Sequence, residues 1–233
     1  MNPLERIFVA LDTTDIDRAT ALSRSLFGHV GGIKIGKEFF TANGPAGVHE
    51  VVHEGQPLFL DLKFHDIPNT VAGALQAVAS INPKILNVHA SGGAVMMRAA
   101  AKVVAEMENK PLLVAVTVLT SLADDDLVEL GINVTAAEYV LTLAKLAQES
   151  GLGGVVCSPL EISAIREACG PDFKLIVPGV RPSWALKSDQ KRVLTPKQAV
   201  SRGADYLVIG RPITGDEDPV AAARKICEEI ALA

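Results

Sequence analysis

The sequence predicts a (β/α)8 barrel, a single domain over residues 1–233. Three observations lead there. Apolar, β-branched runs recur eight times at fairly even intervals. Segments of roughly 3.6-residue periodicity lie between them. The chain is also about as long as eight strand–helix units require. Nearly half the residues are apolar and only 4% aromatic, so Ala, Val, Leu and Ile fill the interior, as in helix-covered parallel sheets. No Pro/Gly/Ser linker or composition shift divides the chain. The alternative, a doubly wound open sheet, would usually carry fewer strands and a Gly-rich turn after the first. Here the first strand ends Ala10-Leu11-Asp12-Thr13-Thr14, without G-x-G-x-x-G.

In order, the first expected strand is the apolar run Ile7–Leu11, followed by a periodic helix over Asp15–Leu26. Gly32–Ile35 is the second strand and Leu58–Leu62 the third, with a helix over Val71–Ser80. Ile85–Val88 is the fourth strand, followed by the helix Ala94–Met107. Leu112–Leu119 is the fifth strand and Ala136–Glu149 its helix, closed by Gly151 as a C′ glycine. Gly154–Cys157 and Leu175–Val177 are the sixth and seventh strands. Thr195 and Pro196 form an N-cap and N1 pair, and Gly203 closes the helix they open. Tyr206–Ile209 is the eighth strand and Pro219–Ala231 the last helix.

Composition excludes several functions. A net charge of −5 provides no basic field for nucleic acid. The longest apolar stretch, near Leu112–Leu119, is too short to span a bilayer. Met1–Arg6 runs straight into a strand, with no signal-peptide h-region. Cys157, Cys169 and Cys227 are scattered, with neither metal spacing nor a disulfide framework. A cytoplasmic protein is expected.

Chemistry in such a barrel gathers at the C-terminal ends of the strands. There the sequence places Asp12 after strand 1, Lys34 on strand 2, Asp61 and Lys63 on strand 3, and Asn87 and His89 on strand 4. Thr120 and Ser121 follow strand 5, and Ser158 follows strand 6. The densest segment is Asp61-Leu-Lys63-Phe-His65-Asp66-Ile-Pro-Asn-Thr70. Alternation along a strand points Asp61 and Lys63 the same way, with Asp66 just beyond. Charges crowded there are costly to desolvate unless paired, so such a cluster has a chemical reason to exist. Alone, Asp12 reads as a helix N-cap and Lys34 as a snorkelling lysine; together with Asp61, Lys63 and Asp66 they read as a site. His65 and His89 read as structural, because spacing identifies no partner for them. Cys157 reads as a small core residue, and Asp124-Asp125-Asp126 as a solvated loop or helix N-terminus. No metal site is expected, since the lysines already supply the positive charge a cation would bring.

Gly210-Arg211-Pro212-Ile213 follows strand 8, where barrels often bind phosphate. Arg211 can add a charge-assisted bond. The long polar segment from Gly179 to Thr195, with Arg181 and Gln190, reads as a lid.

These residues resemble the orotidine 5′-phosphate decarboxylase family in its bacterial form. Asp61, Lys63 and Asp66 stand in DLKFHDIPNT, Lys34 in GIKIGKEFF and Asp12 in FVALD. PGVRP carries Arg181, DQKRVLTP carries Gln190, YLVIGRPIT carries Gly210 and Arg211, and VTVLTS carries Thr120 and Ser121. The resemblance runs from about residue 7 to 215. It implies decarboxylation of orotidine 5′-monophosphate to UMP, the last step of de novo pyrimidine synthesis, with no metal and no organic cofactor. It implies a catalytic network of Lys34, Asp61, Lys63 and Asp66, in which Lys63 stabilises and protonates the C6 carbanion. Asp61 lies near the departing carboxylate and either strains it or positions Lys63. Asp12, Lys34 and Thr70 hold the ribose, Thr120 or Ser121 the pyrimidine edge, and Arg181, Gln190, Gly210 and Arg211 the phosphate. A homodimer is implied, with Asp66 and Thr70 reaching the neighbouring subunit's site. Trp184 and Ser188 stand where bacterial relatives often have glycine, which implies a stiffer lid.

Two alternatives differ in class. A Mg2+-dependent sugar-phosphate lyase or synthase sharing the Asp-x-Lys-x-x-Asp core would need an acidic ligand near the end of strand 2, where Lys34 stands. A non-catalytic nucleotide-binding barrel would tolerate loss of Lys63, whose main use is chemical.

Overall fold

Each strand pairs in parallel with the next in the chain, and the last returns to the first. The computed structural model describes residues 1–185 and 194–233. Its strands are β1 (Ile7–Ala10), β2 (Gly32–Gly36), β3 (Leu58–Phe64), β4 (Ile85–His89), β5 (Leu112–Val116), β6 (Gly154–Val156), β7 (Lys174–Pro178) and β8 (Tyr206–Ile209). They close as a barrel in that order, with Ile7 opposite Leu207 and Val9 opposite Ile209 at the seam. The α-helices are α1 (Ile16–Leu26), α2 (Lys37–Val51), α3 (Pro68–Ala77), α4 (Gly93–Glu106), α5 (Asp124–Glu129), α6 (Ala136–Glu149), α7 (Ile162–Cys169), α8 (Pro196–Ser201), α9 (Arg211–Thr214) and α10 (Pro219–Ala231).

Strand alternation builds two cores. Ile7, Val9 and Leu11 face the helices, whereas Phe8 and Ala10 face the barrel axis. The inner core holds Phe8, Phe59, Ile85, Val114, Ile176 and Tyr206. Each such side chain contributes about 1.5–3 kcal/mol on burial. The Phe8 ring meets Phe59 edge-on at 6.4 Å and Tyr206 at 5.5 Å, the favoured geometry for aromatic pairs. Gly32 makes room for that ring: a Cβ there would stand 2.6 Å from the Phe8 edge. This aromatic plug closes the barrel interior with apolar surface beneath the C-terminal ends of the strands. At the opposite end, Arg166 of α7 donates to the carbonyls of Gly170, Phe173 and Gly203 and to Asp205, tying the starts of β7 and β8 together.

The expected boundaries hold for Ala136–Glu149 and Pro219–Ala231. Thr195 caps α8 by accepting from the Gln198 N–H, and Gly151 and Gly203 take positive φ of 86° and 110°. β5 is shorter than expected, stopping at Val116. The helix expected over Val71–Ser80 instead starts at Pro68, at its N1 position. Periodicity did not single out α2, which is broken inside by Gly44 at φ 62° beside Pro45. The aspartates 124–126 are the first turn of α5, where the helix dipole favours negative charge. Asp15, rather than Asp12, is the N-cap of α1.

Candidate active site

A cavity of about 350 Å³ opens at the C-terminal mouth of the barrel. Asp12, Lys34, Asp61 and Lys63 line one arc of it; Gly179, Arg181, Gly210 and Arg211, from the ends of β7 and β8, line the neighbouring arc. Between them stands an apolar wall that includes Val116, Val118, Val156 and Val180, with Thr120 at its edge. Phe59 of the aromatic plug closes the base.

The charges alternate along a chain of contacts. The Lys34 ammonium lies 3.1 Å from Asp12 Oδ1 and 3.5 Å from Asp61 Oδ2. Lys63 Nζ donates to Asp61 Oδ1 at 2.5 Å. Asp12 is 60% exposed, whereas the Lys34 and Asp61 side chains are 9% and 11% exposed. Burial by itself would raise the Asp61 carboxyl, but the Lys34 and Lys63 ammoniums and the bonds from Lys63 and Asn87 outweigh it and hold the group below its ordinary value. Asp61 therefore stays anionic at neutral pH. Gly36 leaves space for the Lys34 ammonium, since a Cβ there would come within 3.0 Å of Nζ.

Asp61 and Lys63 meet as expected, but simple alternation is not the reason. The β3–β4 register jumps between Leu60 and Phe64, and Lys63 has φ 52°, in the left-handed region. The chain bulges there, and the bulge launches Lys63 toward Asp61. Asn87, fully buried on β4, fills the gap. Its Nδ2 donates to Asp61 Oδ1 at 2.6 Å, and its Oδ1 accepts from the Lys63 N–H at 2.7 Å. The sequence placed Asn87 at this strand end but gave it no role. A lone amide in the apolar run of β4 was the available signal.

The other expected residues divide. Thr120 lines the cavity; Ser121 is exposed beside it. Gly210 precedes α9, which Arg211 begins. Gln190 and Ser188 lie outside the described residues. Asp66 and Thr70 are exposed and do not line their own chain's cavity; Asp66 Oδ1 accepts from the Ile67 N–H. Ile67, just before α3, and Val95, on α4, are exposed, and α3 packs on α4. Trp184 lies with Lys225 5.8 Å from its ring centroid. His65 and His89 do have a partner: their rings lie 5.4 Å apart. Burial first, then the charges of His65, Lys37 and Lys63, push His89 down to about 4. Burial drives the Cys157 thiol far up, so it is an inert part of the wall. Among the described residues no three His, Cys, Asp or Glu side chains are grouped to hold a metal ion, and no helix is long and apolar enough to cross a membrane.

Fold and site together define a barrel enzyme whose mouth sets a lysine–aspartate array beside two arginines, Arg181 and Arg211. Residues 5–226 match the family described as Orotidine 5'-phosphate decarboxylase / HUMPS, and the chain belongs to that family. It is 52% identical over 231 residues to an orotidine 5'-phosphate decarboxylase of Paramagnetospirillum magneticum, covering 97% of this chain and 98% of the relative. It is 54% identical over 231 residues to one of Rhodospirillum rubrum, covering 96% and 93%. Among solved structures, the orotidine 5'-phosphate decarboxylase of Lactobacillus acidophilus superposes with a TM-score of 0.86 at 38% identity, covering 96% of this chain and 98% of that one.

Proposed function

We propose that the chain decarboxylates orotidine 5′-monophosphate to UMP and CO2, with Lys63 as the proton donor. The observation that carries this reading is the Lys34–Asp61–Lys63 contact chain, with Lys34 and Asp61 buried, in a cavity that also presents Arg181 and Arg211. Loss of CO2 from pyrimidine C6 leaves an electron pair in the ring plane, where no π system can spread it. A fixed ammonium beside C6 stabilises that pair and then transfers a proton to it, leaving Lys63 neutral until it is reprotonated. Preorganised charge in a dry site is the strongest form of such stabilisation. The 2.5 Å bond from Lys63 to Asp61 supports a positioning role for Asp61, whose anionic charge also faces the departing carboxylate.

Asp12 and Lys34 would hold the ribose hydroxyls, Thr120 or Ser121 the pyrimidine edge, and Arg181, Gly210 and Arg211 the phosphate, with Gln190 joining them. Binding energy from the remote phosphate can then serve the chemical step. The active unit in this reading is a homodimer. Asp66 and Thr70 stand outside their own chain's cavity, next to exposed Ile67, which supports their contribution to the partner's site. The reading needs no metal or organic cofactor. Lys34 occupies the place where a Mg2+-dependent sugar-phosphate lyase would carry an acidic ligand. Three free cysteines fit a cytoplasmic enzyme.

The test is direct. The purified chain, treated with EDTA, should convert orotidine 5′-monophosphate to UMP, followed by ultraviolet absorbance. Absence of turnover refutes the reading.

A further inference from the structure

The register of the barrel leaves one residue of β4 facing a break in β3. Leu60 pairs with Leu86 and Phe64 with Val88, so Asp61, Leu62 and Lys63 stand opposite Asn87 alone. Ordinary ladder bonds cannot satisfy such a stretch. Asn87 does so with its side chain, and both ends of its amide are used. The amide oxygen takes the backbone N–H of Lys63, whose φ of 52° is a conformation lysine rarely adopts. The amide nitrogen donates to Asp61 Oδ1, the same oxygen that receives the Lys63 ammonium. Asn87 is completely buried, so no solvent can take over either bond.

We infer that Asn87 is a positioning residue for the reaction: its carboxamide locks the backbone that carries Lys63 and the carboxylate that aims the Lys63 ammonium. It touches no part of the cavity described above and acts only through those two groups. The inference deepens the decarboxylase reading and rests on it.

Only an amide does both jobs at every pH. An aspartate at the same place keeps the acceptor for the Lys63 N–H, but it donates to Asp61 only when protonated. Two carboxylates in hydrogen-bond contact push one of the pair's titrations upward. Asn87→Asp is therefore expected to work better as pH falls. Lys34 and Lys63 face Asp61 from β2 and β3, and Lys37 and His65 act on the neighbouring His89; all are shared with the parent. Dividing the variant's kcat by the parent's at each pH isolates the new carboxyl.

The experiment measures kcat between about pH 5 and 9, with the inhibition constant of UMP, for the parent, Asn87→Leu and Asn87→Asp. Asn87→Leu should lower kcat by about 30-fold or more while the UMP constant stays within about threefold, because only the aim of the ammonium is lost. The Asn87→Asp to parent ratio of kcat should climb as pH falls. A folded Asn87→Leu with parent kcat overturns the inference, as does a kcat loss matched by an equal loss of UMP affinity, or a flat Asn87→Asp ratio. Should Asn87→Leu fail to fold, the Asn87→Asp ratio decides alone. A parent without turnover overturns the decarboxylase reading and this inference together, whereas an active parent with indifferent variants overturns only the role of Asn87.

Discussion

Lys63 has a left-handed backbone, and that makes a substitution there behave against the usual rule. In most positions glycine is less stable than alanine by about 0.5–1 kcal/mol, because it loses more conformational freedom on folding. At φ 52° the order should reverse. Alanine and glycine both remove the ammonium and its bond to Asp61, so the difference between the two variants isolates the backbone. A left-handed conformation costs a residue with a Cβ about 1–2 kcal/mol, and glycine escapes that cost. In a domain of this size each kcal/mol moves the melting temperature by about 2–4 °C. After glycine's own penalty of about 0.5–1 kcal/mol is subtracted, a net of about 0.5–1 kcal/mol remains, so Lys63→Gly should melt about 1–4 °C above Lys63→Ala. Differential scanning calorimetry at neutral pH measures the gap, with circular dichroism confirming that both variants fold. A Lys63→Ala protein that melts level with Lys63→Gly, or above it, refutes the bulge as the device that launches the lysine.

Inactive Lys63→Ala and Asp66→Ala chains, mixed and allowed to exchange, should regain about a quarter of parental activity by random pairing, since each mixed dimer holds one intact site; no recovery would place Asp66 in its own chain's chemistry. The folded protein keeps His89 neutral down to about 4, whereas the unfolded chain takes up that proton below the ordinary value of 6.5. The stability this histidine confers is thus complete above pH 6.5 and declines as pH falls toward 4. Urea midpoints across that range should fall less steeply in His89→Asn than in the parent, and equal slopes would contradict the assignment.

Much of the fold was legible because barrel strands buried on both faces read as apolar runs, and Gly151, Thr195 and Gly203 punctuate the helices between them. α2 escaped notice because Gly44 and Pro45 interrupt its periodicity. β5 read too long because apolar residues continue past its last pairing, from Thr117 into the cavity wall at Val118 and Leu119. In the site, charge type and strand position were enough to pick out Lys34, Asp61 and Lys63. Backbone conformation was not: nothing in the letters of DLKFHD announces that Lys63 turns left-handed. The demand for Asn87 was hidden with it, because a side chain that repairs a bulge is recognisable only once the register across two strands is known. The meeting of His65 with His89 is likewise a property of neighbouring strands, not of spacing along one.

In the proposed reaction the Lys63 ammonium, aimed by Asp61, performs the proton transfer. The direct measurement is kcat for orotidine 5′-monophosphate in Lys63→Ala beside the parent, with UMP affinity determined on the same samples. General acid catalysis and preorganised charge together predict a loss on the order of 10⁴-fold or more, with UMP still bound and the fold intact. A folded Lys63→Ala enzyme that turns over at a rate near the parent's would contradict the account.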